Sequence, residues 1–339
     1  MADPATPAPP GPTAPDPSAP DPSAPNPSAT APGPDAITAA AQRLAGRVRR
    51  TPIVEVGAGS FGLGDLDLVC KLELLQHTGS FKARGAFNFA LSREVPPAGI
   101  IAASGGNHGQ AVAYVARALG HRCEVYVPGV SSPVKRERIA SFGADVRVVG
   151  EVYDDAQAAA NERAAETGAL QIHPYEPPEV MAGQGTCARE LDEQRPGLDT
   201  VLVAVGGGGF IAGTAAWFGD RVRVVAVEPA TSNCLHAARA AGEPVRVEVK
   251  GVAADSLGAR QIGAGPWQVV SRHVDESVLV DDDAIVAAQR ALWADLRIAA
   301  EPGGATALAA LISGAYCPEP GERLAVMVCG GNVDPATLA

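Results

Sequence analysis

Two strand-to-helix turns in this 339-residue chain carry residue types able to hold an anion. One reads Ile101-Ala-Ala-Ser-Gly-Gly-Asn-His-Gly-Gln110, the other Val203-Ala-Val-Gly-Gly-Gly-Gly-Phe-Ile-Ala-Gly-Thr214. Glycines let backbone amides approach an anion closely, and a helix N-terminus adds partial positive charge. Each turn could therefore take a phosphate or carboxylate, although tight turns also use glycine for steric reasons alone. The second turn leaves a nicotinamide dehydrogenase open as well. Gly207-x-Gly209-x-x-Ala212 matches the loose dinucleotide fingerprint, and Glu228 follows 21 positions after Gly207, where a ribose-binding acid would sit. Against it, that fingerprint belongs in the first strand–helix–strand unit, and several such units precede it here. A third stretch, Lys71-Leu-Glu-Leu-Leu-Gln-His-Thr-Gly-Ser-Phe-Lys-Ala-Arg-Gly-Ala86, contains Lys82. A lone lysine there reads as a solvated residue at a helix start.

These turns need elements to position them. Strands are expected at Asp67–Leu72, Gly99–Ala103, Cys123–Val127, Asp145–Val149, Val201–Val205, Val222–Val227 and Leu324–Val328. Helices are expected at Lys82–Leu91, Gln110–Leu119, Pro133–Phe142, Asp154–Glu166, Phe210–Phe218, Asp281–Asp295 and Ala305–Ile312. Continuous apolar strands alternating with Ala-rich helical patterns predict an α/β fold, its parallel sheets covered by helices on both faces.

Thirteen of the 29 prolines lie in residues 1–34, which repeat a five-residue Ala-Pro-Asp/Asn-Pro-Ser unit and hold no aromatic, Leu, Ile, Val, Lys or Arg. That segment cannot bury enough apolar area to offset its conformational entropy, so a disordered, partly polyproline-like tail is expected. The balance of 27 Lys+Arg against 38 Asp+Glu, net −11, argues against a nucleic-acid binder. The longest apolar runs fall well short of a membrane span. No basic start followed by an apolar stretch marks a signal peptide. Six scattered cysteines without a CxxC pair fit reduced cytoplasmic thiols better than a disulfide frame or a zinc site.

The pattern around Lys82, Gln-x-Thr-Gly-Ser-Phe-Lys-x-Arg-Gly-Ala, resembles the pyridoxal-phosphate enzymes of the tryptophan synthase β-subunit-like fold (PLP fold type II), in the serine/threonine dehydratase and serine racemase branch. Ser104-Gly-Gly-Asn-His-Gly-Gln110, Gly183-Gln-Gly-Thr186, Gly206-Gly-Gly-Gly209, Glu301-Pro-Gly-Gly-Ala-Thr306 and Cys329-Gly-Gly-Asn-Val-Asp334 follow in the family's order. The resemblance covers about residues 36–336. It implies two domains, each with a mostly parallel sheet flanked by helices: a large one from 35–88 and 173–339, and a small one at 89–172.

The resemblance also implies roles. Lys82 would link covalently to the cofactor aldehyde, which requires a partly neutral amine in a desolvated site. Phe81 would pack against the cofactor ring, Asn107 would meet the ring hydroxyl, and Gly206, Gly207, Gly208 and Gly209 would cradle the phosphate. Cys329 would stand beside the pyridine nitrogen, where a neutral thiol makes the ring a weaker electron sink and favours β-elimination over transamination. Ser104, Gly105, Gly106 and His108 would belong to the loop that grips the substrate carboxylate, with His108 read as a structural helix-start histidine. In the implied reaction the substrate amine displaces Lys82, which takes the Cα proton. The β-hydroxyl leaves, protonated by the cofactor phosphate, and a 2-oxo acid and ammonia result. A cradle without Lys or Arg suits a phosphate acting as an acid.

Some positions depart from the relatives. Serine racemases carry a Ser immediately before the Gly-Asn-His of the first turn, where this chain has Gly105, so a two-base racemase is not expected. Cation-binding relatives pair an acid at the position of Glu228 with an Asp six residues on, which here is Cys234, a poor ligand for a hard cation. Glu228 could still join backbone carbonyls around a cation. Ser256 replaces a glycine common in relatives, and Tyr175 could narrow the pocket. Arg260 reads as an ion-pairing surface residue, while keeping a hydroxyaspartate-type substrate open. The chain ends five residues after Asp334, so the regulatory domain of biosynthetic threonine dehydratases and its feedback inhibition are not expected. The reading is a pyridoxal 5'-phosphate-dependent ammonia-lyase acting on a small β-hydroxy amino acid, L-threonine or L-serine first, as a cytoplasmic homodimer. A β-replacement or specialised-metabolism lyase would keep every motif. A dehydrogenase would make Lys82 incidental.

Overall fold

A computed structural model describes residues 31–338. Most of the expected tail, residues 1–30, lies outside it; Ala31, at its end, packs against the core. In chain order the elements are α1 (Pro34–Leu44), β1 (Ile53–Val56), β2 (Asp67–Lys71), α2 (Lys82–Leu91), β3 (Ile100–Ala103), α3 (Asn107–Leu119), β4 (Cys123–Val127) and α4 (Pro133–Ser141). Then come β5 (Asp145–Val148), α5 (Tyr153–Thr167), β6 (Leu170–Gln171), α6 (Pro178–Gln194), β7 (Thr200–Ala204), α7 (Gly209–Phe218), β8 (Arg223–Pro229) and α8 (Cys234–Ala241). The last are α9 (Ala254–Leu257), α10 (Ala264–His273), β9 (Glu276–Val280), α11 (Asp282–Leu296), α12 (Pro302–Ile312) and β10 (Arg323–Met327).

Two sheets form. One runs β1-β2-β10-β7-β8-β9, the other β5-β4-β3-β6. All pairings are parallel except β1 with β2, where Ile53 faces Lys71 and Val56 faces Leu68. The antiparallel edge escaped sequence reading because Ile53–Val56 is short and carries no hairpin dipeptide. β7 and β8 are buried almost throughout, as strands covered on both faces must be.

The expected strands and helices all occur, shifted by three residues or fewer at an end. The largest shifts are three residues, in α12, expected from Ala305 and starting at Pro302, and in α3, expected from Gln110 and starting at Asn107. In α3, Gly109 disguised the start: a Cβ there would stand 2.1 Å from the Ser104 carbonyl oxygen, so glycine serves close packing in the first turn. Helix α6, not foreseen, hides Gly183 and Gly185 for the same kind of reason. A Cβ on Gly185 would lie 2.7 Å from the Gly213 carbonyl oxygen of α7, and one on Gly213 would lie 2.3 Å from that of Met181. The two helices cross backbone to backbone. α1, β6, β8's last two residues, α8, α9, α10 and β9 were not among the expected elements either; β6 and α9 are too short to show a period, whereas α1 and α8 do carry one, burying Ile37, Ala40 and Leu44 and Cys234, Leu235 and Ala238 on one face.

Candidate active site

The chain segments leaving β7, β10 and β3 converge on one cleft, as ligand sites in parallel sheets do. The cleft spans about 500 Å³ of non-atom space, part of it open to solvent. Phe81 and Lys82 open α2 on one side, and Gly206–Gly209 lead into α7 on another. Asn107, Tyr175, Ser256, Glu301 and Cys329 complete the polar wall.

Lys82 Nζ donates to the Pro174 carbonyl at 3.0 Å and lies 5.1 Å from the Phe81 ring centre. Burial pulls its pKa down to about 8, against a weaker opposing pull from Cys329. A sizeable share of the amine is therefore neutral near neutral pH, as covalent chemistry at nitrogen requires. Burial pushes the Cys329 thiol well up, so it stays protonated, with Sγ 3.5 Å from the Gly303 oxygen. Phe81 stacks on Phe210 at 4.2 Å, and its amide donates to the Cys329 oxygen.

The glycine loop is bare because its neighbours are close. A Cβ on Gly207 would stand 2.2 Å from the Tyr175 ring. Gly208, the residue before α7, has φ +92 and no capping side chain serves this helix start. The first amides of α7 are thus left for an anion.

From the Ser104–His108 turn, Asn107 alone reaches the cleft wall. Ser104 Oγ accepts from the Gly106 amide at 3.2 Å. A Cβ on Gly105 would meet Ser131 Oγ at 2.2 Å, and one on Gly106 would lie 3.7 Å from the Asp255 oxygen. His108 is buried with Nε2 2.7 Å from the Ile172 oxygen, and burial followed by the nearby Lys82 pulls its pKa down to about 3. It is a neutral structural histidine at the start of α3.

Glu228 is also buried. Its two oxygens accept from the Leu235 and His236 amides at 2.8 and 2.7 Å, closing the first turn of α8, and burial lifts its pKa to about 7. Cys234 directs its thiol to the Gly206 oxygen at 3.2 Å. Among the described residues no group of three His, Cys, Asp or Glu side chains is gathered around a possible metal position. Arg260 pairs with Asp154 of α5, away from the cleft wall.

Two features went unnoticed in the sequence. Glu301, which in the sequence is one residue of a Glu-Pro-Gly-Gly-Ala-Thr motif, lines the cleft and accepts from Asn107 Nδ2 at 2.6 Å. Arg84, two residues past Lys82, is fully buried. It pairs with Glu73 at 2.7 Å and Glu190 at 2.8 Å, and Lys71 joins Glu190 at 3.0 Å. The charges in the motif, an Arg after the Lys and a Glu two residues after Lys71, were the available signal.

A pair of mostly parallel sheets with a partly buried, partly neutral lysine facing an uncapped glycine loop defines a phosphate-anchored, lysine-based enzyme. The sequence matches the pyridoxal-phosphate dependent enzyme family over residues 44–330, and the chain belongs to that family. An L-threonine ammonia-lyase of Geobacter sulfurreducens is 38% identical over 308 residues, 89% of this chain and 76% of that one. The biosynthetic L-threonine dehydratase of Escherichia coli is 38% identical over 84% of this chain, which spans only 56% of its length. A phenylserine dehydratase of Ralstonia pickettii is 36% identical, over 90% of this chain and 94% of its own. The solved structure of maize serine racemase superposes with a TM-score of 0.84 at 32% identity, covering 91% of this chain and 96% of that one.

The residues present fit the family's cofactor. Gly206–Gly209 and the α7 amides would offer donors to the phosphate without a cation, Lys82 would supply the amine, and the neutral Cys329 would suit an unprotonated ring nitrogen.

Proposed function

We propose that the protein is a pyridoxal 5'-phosphate-dependent ammonia-lyase that eliminates water from a small β-hydroxy amino acid, L-threonine or L-serine first, giving a 2-oxo acid and ammonia. The observation carrying this reading is the cleft amine of Lys82, with its pKa brought to about 8 opposite an uncapped, cation-free glycine loop. When bound, the cofactor supplies an electron sink for the bond broken at Cα. Lys82 holds it and, once freed, carries the Cα proton. The α7 amides bind the phosphate and Asn107 orients the ring. Gly105 offers no titratable group on the opposite face, which favours elimination over racemisation. Relatives named for threonine and for phenylserine share the β-hydroxyl leaving group and differ in side chain. Ser256 and Tyr175, both at the cleft wall, are the residues that would set that choice here.

In this reading the two sheets are the cores of the two domains, with divisions near 88 and 172, and the protein works as a cytoplasmic homodimer. Glu228 serves α8, and a cation there is not part of the reading. The test is ammonia release from purified protein supplied with L-threonine or L-serine. Oxo acid with little D-isomer is expected, and Lys82→Ala should remove it. Rapid formation of the D-isomer would overturn the elimination assignment.

A further inference from the structure

Glu301 is the buried carboxyl that the reading above leaves without a task. It is 6% exposed and sits at the N-cap of α12, where its amide is tied to the Gly330 oxygen at 3.1 Å. A Cβ on Gly330 would stand 1.9 Å from Glu301 Oε1, so only glycine lets the carboxyl into this place. Oε1 accepts from Asn107 Nδ2, and the Asn332 amide donates to the same carboxyl. Asn332 Nδ2 in turn donates to Asn107 Oδ1 at 2.7 Å and to the Thr78 oxygen at 2.8 Å. The Glu301 and Asn107 side chains and both the backbone and the side-chain amide of Asn332 close a ring.

The ring fixes which way the Asn107 amide points. Its oxygen is taken by Asn332 and one of its two N–H bonds by Glu301, which leaves the second N–H as the free group. Turned over, Asn107 would set its carbonyl against a carboxylate and its NH2 against the NH2 of Asn332. Both contacts would repel. A neutral side chain in place of Glu301 would remove half of that discrimination.

We propose that Glu301 is a positioning residue which, with Asn332, holds Asn107 so that an N–H rather than a carbonyl faces the cofactor ring hydroxyl. The inference rests on the functional reading above and assigns a new role within that site. Burial lifts its pKa to about 7 against the Asn107 hydrogen bond and the attraction of Lys135 of α4, and its charge in turn helps to keep the Cys329 thiol protonated. Protonation below that value weakens the ring, since a carboxyl OH can then donate to an inverted Asn107.

The test is the dissociation constant of pyridoxal 5'-phosphate from the purified full chain, by equilibrium dialysis at pH 8. Glu301→Gln, which keeps shape but accepts either amide orientation, should weaken binding about tenfold or more. In an Asn107→Ala background the same change should have no further effect, a non-additivity that a merely structural role would not produce. If Glu301→Gln does not fold, Asn332→Ala takes its place, with the same weakening and non-additivity expected. Wild-type-like affinity in the variant that folds, or additive losses, would overturn the proposal alone. A wild-type chain that takes up no cofactor would overturn the functional reading together with it.

Discussion

Competitive acylation of the cofactor-free chain reads the acidity of Lys82 one amine at a time. Burial lowers the lysine from 10.5 to about 8, and Cys329 is the group that opposes the shift. That opposition needs a thiolate. Burial holds the thiol protonated far above pH 8, so the opposition is absent over the working range. With a pKa near 8, about one amine in five is neutral at pH 7.4, against about one in a thousand at the ordinary lysine value. Labelling of Lys82 with trace acetic anhydride, quantified by mass spectrometry from pH 6 to 11, should show a midpoint near 8. Cys329→Asp, which sets an anion where the thiol stands, should move that midpoint up by about a unit or more. Stability changes with the opposite bookkeeping from a salt bridge. Between about 8 and 10.5 the unfolded chain binds the extra proton, so the folded form gains stability relative to Lys82→Met as pH rises. At about 1.4 kcal/mol per pH unit, the full gain is about 3 kcal/mol. A labelling midpoint near 10 in the wild type would refute the argument, because it would show a solvated amine.

Arg84→Leu should cost about 3–5 kcal/mol in urea unfolding, because it strips the buried Glu73 of its ion-pair partner and leaves Glu190 to Lys71 alone; a loss under 1 kcal/mol would show that water reaches the network. Gly207→Ala should abolish cofactor binding, since its Cβ would stand 2.2 Å from the Tyr175 ring. Tyr175→Ala in the same chain should recover part of that binding, as followed by visible absorbance; no recovery would place the fault elsewhere in the loop.

Much of the site was legible in the sequence because its parts are local. Lys82 opens a helix whose range was read without error, and Gly206–Gly209 lie between a strand and a helix that their neighbours announce. A turn that must bring amides to an anion has to spend glycine within a few positions, so the order of residues records it. Glycines inside α6 and the early start of α3 misled the reading, because a glycine that makes room for another helix looks the same in one dimension as a glycine that breaks one.

What the residue order determined by itself was the kind of chemistry: a lysine within Thr-Gly-Ser-Phe-Lys, cation-free glycine turns, and no titratable group at position 105. What only the tertiary structure decided was how acidic and how well aimed those groups are. Burial, not sequence neighbours, brings Lys82 to about 8 and keeps Cys329 a thiol. Asn107, Glu301 and Asn332 stand 194 and 31 positions apart along the chain and meet only because α3, α12 and the end of β10 converge. Desolvation and hydrogen-bond direction are properties of that convergence, set by distances that no spacing in the sequence encodes.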